Sequence, residues 1–333
     1  MRSVRIEPCG PAAPPRSRAE LITASISTDG ARTTVWNASA TLPSAQTKTI
    51  CVRRSAAPIE DFYATHDYQD VYLDISVTAS NVQVAQAVVG EADLLTCITY
   101  EDDGNPYRTS GRLLSTSSHS GTDFVLGPGV SHVNISATGD LFLGYSDIGV
   151  FEGSEYPATS LLGMGADGLV RLGPQMTPEW AMPSADLGWR GVSEVEAMTW
   201  GSPEEMWAYV EPDMAIVRVG HEVRRWLPDR IATPPTGVRQ LAVLGDTVAL
   251  VGDWRDSDAK VRLVQLRGEE WRPWSSVSIR MPDGKKLPED IICAAFHDQL
   301  YFLAEGEWHR AKLADIIAVA GPPPATTKPG ELG

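Results

Sequence analysis

Three short segments recur at one fixed interval. Leu169-Val170-Arg171-Leu172, Ile216-Val217-Arg218-Val219 and Leu263-Val264-Gln265-Leu266 begin 47 residues apart, twice. Each is followed by a turn and then a tryptophan: Trp180, Trp226 and Trp271. A further step reaches Arg310-Ala311-Lys312-Leu313, a weaker match near the end of the 333-residue chain. Turn-forming residues recur every 8 to 12 positions between short apolar runs. That spacing suits strands and leaves little room for long helices.

A period of this length, with four strands per unit, is the mark of a β-propeller blade. Ahead of each repeat lies a continuous apolar run: Leu141-Phe142-Leu143, Met206-Trp207-Ala208-Tyr209, Val248-Ala249-Leu250-Val251 and Leu300-Tyr301-Phe302-Leu303. Strands buried on both faces read this way. The units then fall at 130–183, 190–230, 237–281 and 289–317. Upstream, 80–127 supports a further unit with strands at 82–89 and 94–99, and 20–79 supports a first. The fold class is therefore all-β, a single closed β-propeller of six four-stranded blades, with five or seven as the alternatives. The domain spans 20–317. It is preceded by a lead-in, 1–19, and followed by a proline-rich tail, 318–333, whose composition predicts disorder. The last unit lacks an outer strand, and an open edge is a liability. Val4-Arg5-Ile6, or residues 21–27, is the expected donor.

Composition narrows the partners. The net charge of −15 argues against nucleic acid, which needs a basic footprint, and against anionic membrane surfaces. It favours a cationic small molecule or a basic peptide or protein. Cys9, Cys51, Cys97 and Cys293 show no metal-binding spacing, and Cys97 and Cys293 read as small buried hydrophobes. With no apolar leader visible, a reduced, cytoplasmic setting is expected. No apolar run approaches the ~18 residues of a membrane span.

With these repeats and apolar runs, the chain resembles the six-bladed propeller class that includes gluconolactonase-like and strictosidine-synthase-like proteins. The segment Gly139-Asp140-Leu141-Phe142-Leu143-Gly144-Tyr145-Ser146-Asp147-Ile148-Gly149-Val150-Phe151-Glu152 is similar to one in uncharacterised bacterial propeller proteins. The resemblance is architectural. For the enzymes of the class it implies a metal held in the central channel by acidic and asparagine side chains. No clear match to that ligand pattern is present in this chain, and fold alone does not transfer function.

Loops from second to third strands share one face of such a disc. Here they are 100–108, 144–168, 211–213 and 252–260, and acids dominate them. Tyr145, Asp147, Phe151, Glu152, Asp253 and Asp256 are the candidate ligand-binding residues on that face. Hairpins on the opposite face carry Arg218, Arg224, Arg225, Arg267 and Arg272, so charge is expected to be polarised across the disc. Starts of inner strands should face the channel: His132 and Asn134, Glu194 and Glu196, Arg239 and Gln240, Glu289 and Asp290. Strand alternation is expected to turn one of each pair inward. Among them His132, Glu194, Glu196 and Arg239 are the catalytic candidates, since paired carboxylates can shift a pKa into the working range. His66, beside Asp67, is a further candidate base. Asp253, Asp256 and Asp258 cluster carboxylates as a divalent cation such as calcium prefers, but without the twelve-residue calcium loop, so no metal ligands are assigned. No nucleophile elbow, zinc, phosphate-loop or dinucleotide motif occurs.

Two functions follow. The first is a binding module whose acidic loop face recognises a cationic small molecule, peptide or metal. The alternative is a lactonase-, isomerase- or cyclase-type enzyme with a carboxylate and histidine pocket at the channel mouth.

Overall fold

The computed structural model describes residues 3–5, 7–11, 20–26, 31–37, 47–58, 68–76, 79–89, 93–102, 105–116, 120–153, 164–182, 191–230, 232–252, 259–288 and 291–323. In chain order the elements begin with two N-terminal strands, β1 (Ser3–Arg5) and β2 (Glu7–Pro11). Next come β3 (Glu20–Ile26), β4 (Ala31–Asn37), β5 (Thr47–Pro58) and β6 (Tyr68–Ser76). Then follow β7 (Ala79–Val89), β8 (Asp93–Asp102), β9 (Asn105–Ser115) and β10 (Ser120–Val125). The next unit has β11 (Val130–Ile135), β12 (Leu141–Tyr145), helix α1 (Asp147–Gly153), β13 (Leu169–Leu172) and β14 (Pro178–Ala181). After it lie β15 (Glu194–Ser202), β16 (Glu205–Glu211), β17 (Ala215–Val219) and β18 (Val223–Pro228). Strands β19 (Val238–Leu244), β20 (Thr247–Gly252), β21 (Lys260–Arg267) and β22 (Glu270–Arg280) follow. The chain closes with β23 (Ile292–Phe296), β24 (Gln299–Ala304), β25 (Glu307–Lys312) and α2 (Leu313–Ala320).

These strands pair as antiparallel meanders. Among the described residues four sheets have four strands each; a fifth joins β15–β18 to β19–β22 where β18 runs parallel to β22, and β1 adds parallel to β22 farther along the same edge. The repeated tetrapeptides of the sequence are β13, β17 and β21, the third strand of successive meanders. The apolar runs are the second strands, and Leu141–Tyr145 is buried at every position. Hairpins are tight where the sequence permits it. Glu305 and Gly306 both have positive φ, 53° and 77°, between β24 and β25, the geometry of a two-residue turn whose twist matches its strands.

The core lies between sheets rather than within one. One cluster packs Ala85, Cys97 and Phe124 against Val133, Leu143 and Val170. Another packs Tyr209, Ile216 and Trp226 against Leu241, Leu250 and Trp271. First strands of successive sheets touch in the order β3, β7, β11, β15, β19, β23, and β23 touches β3. Trp226 and Trp271 are buried, and Trp180 is half-buried. Trp271 donates from Nε1 to the Met214 carbonyl, 3.0 Å away in the neighbouring meander. Meander sheets packed face to face in this way define an all-β propeller.

The outer strand of the last sheet comes from the N-terminus, but not from the expected residues. It is β2, antiparallel to β25 with Glu7 opposite Arg310 and Gly10 opposite Trp308. Residues 3–5 instead lie parallel on β22, and residues 20–26 begin their own sheet. The donor carries Pro8 and Pro11, which an outermost strand tolerates because one side needs no donors. Leu313 does not extend β25. It opens α2, which buries Leu313, Ile316 and Ala320. No helix of the described residues is long and apolar enough to cross a membrane.

Candidate functional site

Near their starts, the first strands of five meanders carry a register shift: at Leu21/Thr23, Ser80/Gln83, Val130/His132, Val195/Ala197 and Val238/Gln240. A bulge frees the extra residue from the ladder and re-aims its side chain. The freed residues in the last three are Ser131, Glu196 and Arg239, equivalent positions of successive meanders. They bring unlike chemistry to one rim.

Glu196 is the centre of that rim. Its Oε1 accepts from the Gly237 N–H and its Oε2 from the Val238 N–H, both at 2.9 Å, which ties β15 to the start of β19. Burial first, then the Glu211 side chain beside it, push Glu196 up to about 7, against the pull of the two N–H donors. Glu194 stands opposite Glu211 in the ladder. Burial first, then Asp147 and Glu211, raise it above the usual carboxylate range. Like charges directly opposite destabilise a strand pair. Asp147 reaches this group from α1, at whose start its Oδ1 accepts the Ile148 N–H at 2.7 Å. Four acids therefore meet at one mouth.

His132 lies just inside. Ser131 Oγ is 2.9 Å from its Nδ1, and the ring also bonds the Glu196 backbone. Burial lowers His132 to about 4, so it is neutral at pH 7. Next to it is a cavity of about 70 Å³ lined by residues of β3, β7, β11, β15, β19 and β23, including Ser25, Gln83, His132, Asn134, Met198 and Gln240. His132 and Asn134 both face it. They sit two residues apart and share a strand side, so one of the pair is not turned away. Of Arg239 and Gln240, only Gln240 lines it, and Arg239 is exposed.

The ligand-binding candidates separate. Asp147 joins the mouth, and Phe151 projects from α1 at 65 % exposure beside Ile148 at 51 %. Glu152 lies in α1. Tyr145 is wholly buried, and its hydroxyl donates to the Leu126 carbonyl at 3.1 Å. Tyr209 does the same to Pro235, at 2.8 Å. Both rings tie down the loop leading into a new sheet, so Tyr145 serves the core, not a ligand. Asp253, Asp256, Asp258, Glu289, Asp290 and His66 lie outside the described residues. The loop 144–168 contains a helix, α1, and a short 3-10 turn at Met164–Asp167.

The arginine-bearing side is less polarised than its composition suggests. Arg218 pairs with Glu205 at 3.3 Å, Arg225 with Asp213 at 3.7 Å and Arg272 with Asp229 at 2.7 Å. Arg224 lies over the Trp226 ring. The metal implied by the resemblance does not fit. Among the described residues no three His, Cys, Asp or Glu side chains could hold an ion, and the cavity offers neutral amides and a neutral imidazole where a hard divalent cation prefers carboxylates.

Two parts of the site carry no signal in the sequence: the approach of Glu196 to Glu211, and the contributions of Ser25 and Gln83 to the cavity. Glu211 was visible only as one acid among many in the second-to-third loops.

The chain is thus a β-propeller protein with an acidic mouth and a neutral polar cavity. No family model matches it, and no curated protein matches it. Among solved structures it is similar to YCF48 bound to D1 peptide, at 15% identity over 90% of this chain and 80% of that one, with a TM-score of 0.44. It is similar to the α-L-arabinanase of Penicillium chrysogenum complexed with arabinobiose, at 11% identity over 95% and 99%, TM-score 0.44. The β-propeller domain of the Trilobed protease of Pyrococcus furiosus, described as having an open velcro topology, aligns at 8% identity over 85% and 78%, TM-score 0.40.

Proposed function

We propose that the protein is a single closed propeller of six four-stranded blades, and that the acidic mouth of its channel binds a cation carried by a small molecule or a basic peptide. The ring reading rests on the circuit of first strands, with β23 returning to β3, and on a cavity to which all six contribute. The binding reading rests on one observation: Asp147, Glu194, Glu196 and Glu211 converge, and burial beside Glu211 keeps a proton on Glu196 up to about pH 7. Carboxyl groups this crowded keep a proton only because no stronger positive charge offsets them. An amine or guanidinium entering the mouth displaces that proton and relieves the repulsion. The half-buried rim, of lower dielectric than water, strengthens the attraction.

A second reading, a lactonase-, isomerase- or cyclase-type enzyme, is favoured by the same value near 7, which suits a general acid or base. Binding is preferred because both oxygens of Glu196 are already engaged by backbone N–H groups.

The test is titration calorimetry with arginine amide and a short oligolysine peptide, at low and high salt and at pH 6 and 8. Saturable binding that weakens with salt, strengthens with pH and fails in a Glu194→Gln/Glu211→Gln double variant supports the reading. Binding unchanged in that variant sinks it.

A further inference from the structure

The cavity beyond the mouth has chemistry of its own. Its polar lining is uncharged: Ser25, Gln83, Asn134, Gln240 and a His132 held neutral by burial. Its walls are apolar, with Ile26, Val84, Val133 and Met198. Two of its polar atoms, Gln240 Oε1 and Ser25 Oγ, are buried and meet no hydrogen-bond partner among the described residues. Buried polar atoms are ordinarily satisfied, so each orphan asks for a partner. At about 70 Å³ the space is several times the ~10–15 Å³ that admits one water. Gln240 Oε1 is an acceptor only, so what it lacks is an N–H or O–H donor.

We propose that this cavity is a binding site for a compact, neutral hydrogen-bond donor of the primary-carboxamide class. The amide N–H group donates to Gln240 Oε1, and its carbonyl accepts from Ser25 Oγ. The small apolar remainder lies against Met198 and Val133. A carboxylate has no donor for Gln240 and pays desolvation with no cation at hand in the lining. An ammonium loses its hydration for neutral acceptors alone and is better served by the mouth outside. The site is separate from the acidic mouth and does not depend on the reading given for it.

The test uses the full-length protein with ¹³C-labelled methionine methyl groups. Met198 lines the cavity and reports on it, while the wholly buried Met206 in the adjacent core is the control. The probes are acetamide, acetate and methylammonium. Acetamide is expected to move the Met198 methyl saturably and leave Met206 in place, with acetate and methylammonium producing no saturable change. Gln240→Leu should weaken acetamide by about tenfold, the loss of roughly one hydrogen bond. The same variant should keep or raise the melting temperature, because it removes an orphaned buried acceptor; Ser25→Ala gives a second, smaller perturbation. The Glu194→Gln/Glu211→Gln variant should bind acetamide as the parent does. A Met198 methyl indifferent to acetamide overturns the proposal and leaves a water-filled channel. Equal response to acetate or methylammonium, or acetamide binding untouched by Gln240→Leu, overturns the assigned chemistry.

Discussion

Glu194 faces Glu211 directly across the β15–β16 ladder, and the carboxyl of Glu196, freed from that ladder by a bulge, lies beside Glu211. Glu196 keeps its proton where most carboxylates have lost theirs. The reason is local: a half-buried position first, and then the acid beside it.

Stability should therefore carry an unusual pH signature. Glu196 is raised to about 7 in the folded protein, so its contribution is complete below the unfolded value near 4.5 and is lost as pH rises through 7. His132 is lowered to about 4, so its contribution is complete above 6.5 and is lost as pH falls through 4. The two oppose each other over the shared window. Melting curves across pH 4 to 8 should show Glu196→Gln rising with pH more steeply than the parent, and His132→Gln falling. Parallel profiles for all three proteins would refute the assignment.

Trp271 is expected to be a strut between neighbouring meanders. It is wholly buried and donates to Met214 across the boundary. Trp271→Ala should cost about 3–5 kcal/mol in urea unfolding. Trp271→Phe should cost less, about 1–3 kcal/mol, because it keeps the ring but leaves the Met214 carbonyl without its donor.

Removing residues 1–11 should lower the melting temperature and promote association. The deletion strips β2 from β25 and bares an edge that another chain can pair with. Glu7→Gln, which removes the ion pair to Arg310, should cost less than about 1 kcal/mol. Light scattering beside calorimetry separates lost contacts from a bared edge. A truncated protein as stable and monodisperse as the parent would contradict the pairing.

Gly252→Ala should disturb the mouth from outside it. A Cβ there would run into the Gly237 carbonyl oxygen and come within 2.6 Å of the Val238 Cα. Gly237 and Val238 supply the N–H donors of Glu196. Overpacking should cost about 1–3 kcal/mol, and displaced donors should raise Glu196 further. Carboxyl ¹³C shifts of Glu196 followed against pH would show this as an upward move of its midpoint.

Local pattern carried a large part of the architecture. The 47-residue step from Leu169 to Ile216 to Leu263 is legible because each meander is built from contiguous chain, and equivalent third strands must recur at the length of one unit. The apolar second strands are legible because burial on both faces leaves no polar position along them. Everything that depends on distant contacts was not. Glu7 opposes Arg310 across nearly the whole chain, and Pro8 reads locally as a lead-in. Tyr145 sits in an acidic, loop-like stretch, yet its hydroxyl is spent on Leu126. The arginines of the far hairpins look like an unbalanced face until Glu205, Asp213 and Asp229 are seen beside them.

The order of strands within each unit was thus set by the residues themselves, through hydrophobic period and turn chemistry. Which acids crowd together at the mouth, which polar atoms are left without a partner in the cavity, and which end of the chain completes the last sheet were decided by tertiary packing. Backbone bulges turn Glu196 toward Glu211, and a one-residue shift in register leaves no mark in composition or period.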